Sequence, residues 1–184
     1  MRNVSVQRHS SDDGFTVIEL LLVVTIIGIL GSIAIPSLIR ARGSAAETSA
    51  IGSLRTIHAA ETTYATSCGY GYYAPSIPIL ATPPKAGTPA FIGAEFKADT
   101  TNRLHYRFRF TSGTVEKNAK ATCNGVAAGK AVSTFFVSAD LLQATNGVPA
   151  RYFAVHQFGT IYESTKKINA FYSGNPAAPA RTLR

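Results

Sequence analysis

Acidic side chains are scarce in this chain of 184 residues: ten Asp and Glu stand against eighteen Lys and Arg. Histidine occurs four times, cysteine twice, methionine once and tryptophan not at all. Each shortage removes a class of chemistry. Asp140 and Glu163 stand alone toward the C-terminus, too few carboxylates to build an oxygen cage around calcium. Cys68 and Cys123 are isolated and lack the clustered spacing of zinc ligands. His9, His58, His105 and His156 belong to no metal spacing and no nucleophile motif. No catalytic residue, metal or cofactor is therefore expected, and an enzyme is the least supported class.

What remains is apolar and basic. Hydrophobic residues make up 46% of the chain, which argues against disorder, and the length beyond Pro36 leaves room for one globular domain with its own core. Net charge is +8 with a pI near 9.7. Arg2 and Arg8 are balanced by Asp12 and Asp13 ahead of Gly14, so the excess lies further on. Such a surface favours nucleic acid, anionic headgroups or acidic polymers, and equally keeps a protein in solution.

From Phe15 to Ile35 the chain is almost continuously apolar and about long enough to cross a bilayer as a helix. Glu19 interrupts it. An ionised side chain inside such a segment costs roughly 2.5 kcal/mol or more, so an acid there is functional by default. A cleaved secretory signal would have a shorter apolar core and an Ala-x-Ala site. A plain signal anchor leaves Glu19 without a purpose, and the buried helix of a soluble enzyme is seldom this long and this apolar.

Gly14-Phe15-Thr16-Val17-Ile18-Glu19, followed by an apolar helix with Gly28 and then Pro36, closely resembles the processing site and anchor of type IV prepilins and pseudopilins. Asp12 and Asp13 depart from the basic leaders usual in that family. The resemblance implies that a prepilin peptidase cuts after Gly14 and methylates the new N-terminus at Phe15. It implies that Glu19 meets the terminal amine of a neighbouring copy during assembly, with Gly28 and Pro36 part of the assembly helix. The partners implied are further copies of this chain in a filament, the inner-membrane assembly platform, and the membrane itself before assembly. The implied location is the bacterial inner membrane as a precursor with its leader in the cytoplasm, then an extracellular or periplasm-spanning filament. Arg40 and Arg42 lie just beyond the anchor, so the positive-inside rule alone does not set that orientation. A type IV pilus subunit is the favoured reading, with a type II secretion pseudopilin and a non-polymerising membrane-anchored binding module as alternatives. For an exported domain, Cys68 and Cys123 are expected to form a disulfide, the alternative being two buried free thiols.

The fold class expected is α+β: a long N-terminal helix, half transmembrane and half amphipathic, packed on an antiparallel sheet. The implied divisions are a leader over 1–14, an assembly helix over 15–36, a globular domain over 37–172 and a flexible tail over 173–184. Ile51, Leu54, Ile57, Ala60 and Tyr64 recur at helical spacing, with Ser53, Arg55 and Glu61 assigned to the other face. Pro36 is expected to bend the helix and Cys68-Gly69 to end it. An irregular connection follows over 69–89, with Ile77 and Ile79 as anchors and a tyrosine cluster at Tyr70, Tyr72 and Tyr73. The clearest strand signal is Leu104 to Thr111, where Leu104, Tyr106, Phe108 and Phe110 alternate with His105, Arg107 and Arg109. Further strands are expected at 134–139, 152–156 and 160–163, the last after a Phe158-Gly159 turn. Arg107 and Arg109 beside aromatics suggest a stacking surface for DNA, but the period-2 pattern points the aromatics inward, so nucleic acid is only weakly supported as a partner.

Overall fold

The computed structural model describes residues 14–143, 150–171, 176–177 and 179–183. The leader residues Arg2, Arg8, His9, Asp12 and Asp13 lie outside the described residues, as does part of the tail. The elements run α1 (Val17–Ser67), α2 (Ile77–Leu80), β1 (Thr100–Arg103), β2 (Tyr106–Ser112), β3 (Phe135–Leu141), β4 (Tyr152–His156), β5 (Ile161–Ser164) and β6 (Arg181–Thr182). The six strands form one sheet in sequence order, every neighbouring pair antiparallel. This is the α+β layout expected, and α1 is assigned without a break through Pro36. The chain divides into two compact units, Met1–Ile39 and Arg40–Arg184, with the boundary inside α1.

In the first unit, the described residues from Gly14 onward are exposed, with Gly31 alone half-buried. An 18-residue window there has a mean hydropathy of 2.6 and no buried residue, so by length and composition this part of α1 can cross a membrane. Leaving that many Leu, Ile and Val side chains in water would forfeit stabilisation on the order of tens of kcal/mol, which requires that something cover them.

The second unit has its own core. Ala50, Leu54, Ile57, Ala60 and Tyr64 of α1 pack with Tyr106, Phe108, Phe110, Phe135, Val137, Phe153 and Val155 from one face of the sheet. The buried stripe is wider than its apolar members, because Ser53 and Glu61 are buried too and not on the wet face assigned to them. Both fall at helical spacing from the core residues, and geometry overrides their polarity. The helix ends at Ser67, just ahead of Cys68-Gly69 as expected, but without the usual left-handed glycine. Gly69 does not take a left-handed conformation; the positive φ values fall at Tyr70 (52°) and Gly71 (90°), and the Gly71 N–H donates to the Ala65 carbonyl at 2.8 Å. Glycine is needed at 69 for another reason: a Cβ there would stand 2.0 Å from the Tyr72 carbonyl oxygen.

The alternation of β2 is as read from Tyr106 onward, with Tyr106, Phe108 and Phe110 buried and Arg107 and Arg109 exposed. Leu104 is a correction. Leu104 (φ 40°) and His105 (φ 70°) form the turn between β1 and β2, and Leu104 is exposed instead of in the core. β3 is buried on both faces, because Phe136 on its far side packs with Ala154, Tyr162 and Ile168, against which Phe171 and Ala180 also lie. The tail is not wholly loose either, since Tyr162 pairs with Thr182 and Glu163 with Arg181. Of the expected anchors in the connection, Ile77 and also Leu80 are buried and Ile79 half-buried; Tyr73 bridges Val132 and packs edge-on against Phe135 at 4.9 Å.

Candidate functional site

Thr16 sets where α1 begins. Its carbonyl accepts the Leu20 N–H at 3.2 Å as the first helical bond, and its hydroxyl oxygen accepts the Glu19 N–H at 3.3 Å. Thr16 is thus the N-cap and Glu19 the third helical residue, in the Thr-x-x-Glu spacing of a capping box. A carboxylate in the first turn also opposes the positive end of the helix dipole. Sequence reasoning misses the capping role of Thr16, although this spacing announces it. Phe15 and Gly14 precede the cap outside the helix; Phe15 is 82% exposed, and a Cβ on Gly14 would meet nothing within 4 Å. The peptide between them is open to a protease.

The apolar segment beyond the cap is prepared for a water-poor setting. Thr25 and Ser32 turn their hydroxyls back onto the Leu22 and Ile29 carbonyls, each at 2.7 Å, so neither demands a partner outside the helix. Glu19 is then the one charged side chain between Phe15 and Ile39. A Cβ on Gly28 would meet nothing within 4 Å, so packing inside this chain does not explain that glycine.

The remaining singled-out residues lie in the second unit. Cys68 is joined to Cys123, tying the end of α1 to the loop before β3. Closing that loop is worth about 4 kcal/mol in the chain-entropy model. Glu163 is held by Arg151 and by Arg181, the latter at 2.7 Å, while Arg151 also reaches Glu47 of α1 at 2.7 Å. Burial would raise the Glu163 pKa, but the hydrogen bonds and charges of the two arginines outweigh it and hold the carboxyl below its ordinary range. Asp140 faces Arg109 at 3.5 Å.

The histidines are dispersed. His58 on α1 lies 3.2 Å from the Gln157 carbonyl, and His105 sits on the β1–β2 turn and not within a strand as expected. His156 is buried among Phe158, Tyr162 and Phe171; burial lowers its pKa, and its Nδ1 accepts the Phe158 N–H at 3.2 Å. Among the described residues no group of three His, Cys, Asp or Glu side chains is placed to hold a metal.

An α+β domain led by a capped, acid-bearing apolar helix fits a membrane-anchored precursor. Residues 10–35 match the model of the prokaryotic N-terminal methylation motif, which is the prepilin signal of type IV pilins and pseudopilins. The match takes in Gly14, Phe15, Thr16, Glu19 and Gly28 and stops one residue before Pro36. Comparison with curated proteins and with solved structures returns no match. The chain thus carries the signal of a type IV pilin-like or pseudopilin precursor, a structural and generally non-enzymatic kind of protein whose signal implies processing by the prepilin peptidase and an inner-membrane stage.

Proposed function

We propose that this chain is a structural subunit of a type IV pilus-like filament, cut after Gly14, methylated on Phe15 and polymerised through the apolar half of α1. The observation that carries the reading is the uncovered apolar helix with Glu19 as its single charge, four residues from the new terminus. In the free subunit that carboxylate bears its desolvation cost alone. In the filament it meets the Phe15 ammonium of the next copy in a low-dielectric core, where attraction between opposite charges is far stronger than in water. Gly28, which nothing in its own chain requires, gives neighbouring helices a place of close approach, and Pro36 marks the end of the assembly segment. The Arg151, Arg181 and Arg109 contacts commit Glu163 and Asp140, the two carboxylates toward the C-terminus, to guanidinium partners.

Glu19→Leu tests the assignment. The substitution eases membrane insertion while removing the contact that drives assembly. The expected outcome is normal leader removal, accumulation of processed chain in the membrane and no filaments in sheared fractions or electron micrographs. Normal filaments would leave Glu19 without a part in assembly and overturn the role assigned to it.

A further inference from the structure

The turn between β4 and β5 is held between two histidines of the second unit. His156 ends β4; its carbonyl accepts the Gly159 N–H at 2.9 Å and its Nδ1 accepts the Phe158 N–H at 3.2 Å. His58 of α1 closes the other side. Its Nε2 lies 3.2 Å from the Gln157 carbonyl, and a Cβ on Gly159, where φ is 77°, would stand 2.8 Å from its ring. An imidazole that accepts at Nδ1 is neutral with its proton on Nε2, which here lies 3.5 Å from the Tyr162 hydroxyl. Both nitrogens of His156 are thus committed.

Aromatic rings box this imidazole in. His156 is 1% exposed, with ring centres 5.1 Å from Phe171, 5.2 Å from Phe158 and 5.5 Å from Tyr162. Phe171 also meets Tyr162 at 5.2 Å and Phe136 at 5.5 Å, so one cluster joins the turn to the segment lying over the far face of the sheet. No carboxylate answers a charge on the ring. From α1 come His58 and, beside Gly159, Arg55. From β5 comes the Tyr162 hydroxyl, while Glu163 points to the opposite face and is held there by Arg151 and Arg181. β3 sets Phe136 opposite His156; Asp140 shares that face but lies roughly 13 Å along the strand and faces Arg109. The segment bearing Phe171 adds Lys166 and Lys167, both exposed.

We propose that His156 is an acid-sensitive latch: taking up a proton opens the β4–β5 turn and releases Phe171 from the far face of the sheet. A protonated Nδ1 cannot accept the Phe158 N–H, and an imidazolium in this box has no anion to offset its lost hydration, so the ring must reach water. The surface uncovered is the apolar cluster of Phe136, Ala154, Tyr162 and Ile168. Burial lowers the His156 pKa from 6.5, a hydrogen bond with its own backbone offsets this in part, and His58 adds to the lowering. The latch is therefore closed above pH about 6.5 and loosens as pH falls below it. Glu61 acts in the opposite sense, and Glu163 loses its contribution only below pH about 4.5.

Hydrogen exchange, corrected for intrinsic rates, is read on the full chain in detergent near pH 7.5 and pH 5. Protection at Phe158 and Gly159 should fall by up to about 30-fold, the ratio for a histidine of pKa 6.5 that binds its proton only once open, while Phe108 and Phe110 keep theirs. Both native cysteines are in the disulfide, so Ile168→Cys reports the release: a pyridyl disulfide should reach it at the lower pH only, relative to an exposed Val115→Cys control. His156→Gln, which keeps an uncharged acceptor, should abolish both changes. Unchanged protection at pH 5, equal loss at Phe108, a shielded Ile168→Cys, or the same response in His156→Gln each overturns the latch. Where His156→Gln does not fold, histidine-selective NMR of the native chain decides. His156 should take up its proton in step with the loss of protection at Phe158 and Gly159; protonation with both amides still protected overturns the proposal.

Discussion

Leu30 and Leu54 sit in the same α-helix, yet the first is 62% exposed and the second wholly buried. Two of the three glutamates of this helix, Glu19 and Glu61, invert the pattern. Glu19 is exposed in an apolar segment, while Glu61 is buried in a mixed one, its Oε2 accepting the Ala74 N–H at 2.9 Å and its Oε1 without a hydrogen-bond partner. In the second unit the chain covers its own apolar stripe with a sheet and takes a carboxyl inside with it. Among the described residues nothing covers the apolar surface of the first unit, which calls for lipid or other copies to complete its energetics. One secondary-structure element thus carries a folding half and, in the function proposed, an assembly half.

The sharpest way to break this comparison is to shorten one leucine in each half. Leu54→Ala should cost the domain about 2–5 kcal/mol, because the sheet closes only partly over the cavity. Leu30→Ala should leave domain stability unchanged, since its side chain has no partner within the second unit's core, and should instead lower filament yield. Chemical denaturation followed by sheet circular dichroism reads the first effect and sheared-fraction assays the second. A comparable loss of stability from both would join the halves into one folding unit.

Glu61 gives the next effect in size. Burial, only partly offset by the Ala74 hydrogen bond, raises its pKa from 4.5 to about 8. The folded domain therefore holds this proton more tightly than the unfolded chain. The stabilising contribution is fully present below pH about 4.5, falls as pH rises, and is gone above about 8. Between pH 5 and 7 the loss should be roughly 2–3 kcal/mol, and Glu61→Gln should flatten the slope over that interval. Equilibrium unfolding at several pH values measures it; an unchanged slope in the variant would assign the pH dependence to other groups. Smallest is the cap. Thr16→Ala should weaken the first turn by about 1 kcal/mol, visible as faster amide exchange at Glu19 and Leu20 in detergent with no change in the second unit.

The same contrast explains what the sequence discloses. The apolar run with Glu19 and the alternation from Tyr106 to Phe110 are legible because membrane length and strand period are set by spacing alone. Glu61 is misplaced when a charge is taken as a sign of exposure, although its position three residues before Tyr64 and four after Ile57 puts it on the buried stripe. Leu104 is misplaced because the strand alternation runs on through the turn, and Leu-His carries none of the glycine or asparagine that marks positive φ. β1 is four polar residues, Thr-Thr-Asn-Arg, with no apolar alternation, and β6 is visible only through its pairing with Tyr162 and Glu163. At the candidate site the acid and the expected point of cleavage are readable from the motif. The cap is overlooked because Thr16 is taken as one more residue of the run, although its Thr-x-x-Glu spacing to Glu19 marks it.

The assembly half can work as described only if the chain begins at Phe15, which brings a free amine within reach of a neighbouring Glu19. Intact-mass and N-terminal peptide mass spectrometry of the membrane and sheared fractions measures this directly. A mature chain starting at Phe15 with one added methyl group, abolished by Gly14→Val, is the expected result. A chain still starting at Met1 in assembled filaments, or one starting beyond Pro36, would contradict it.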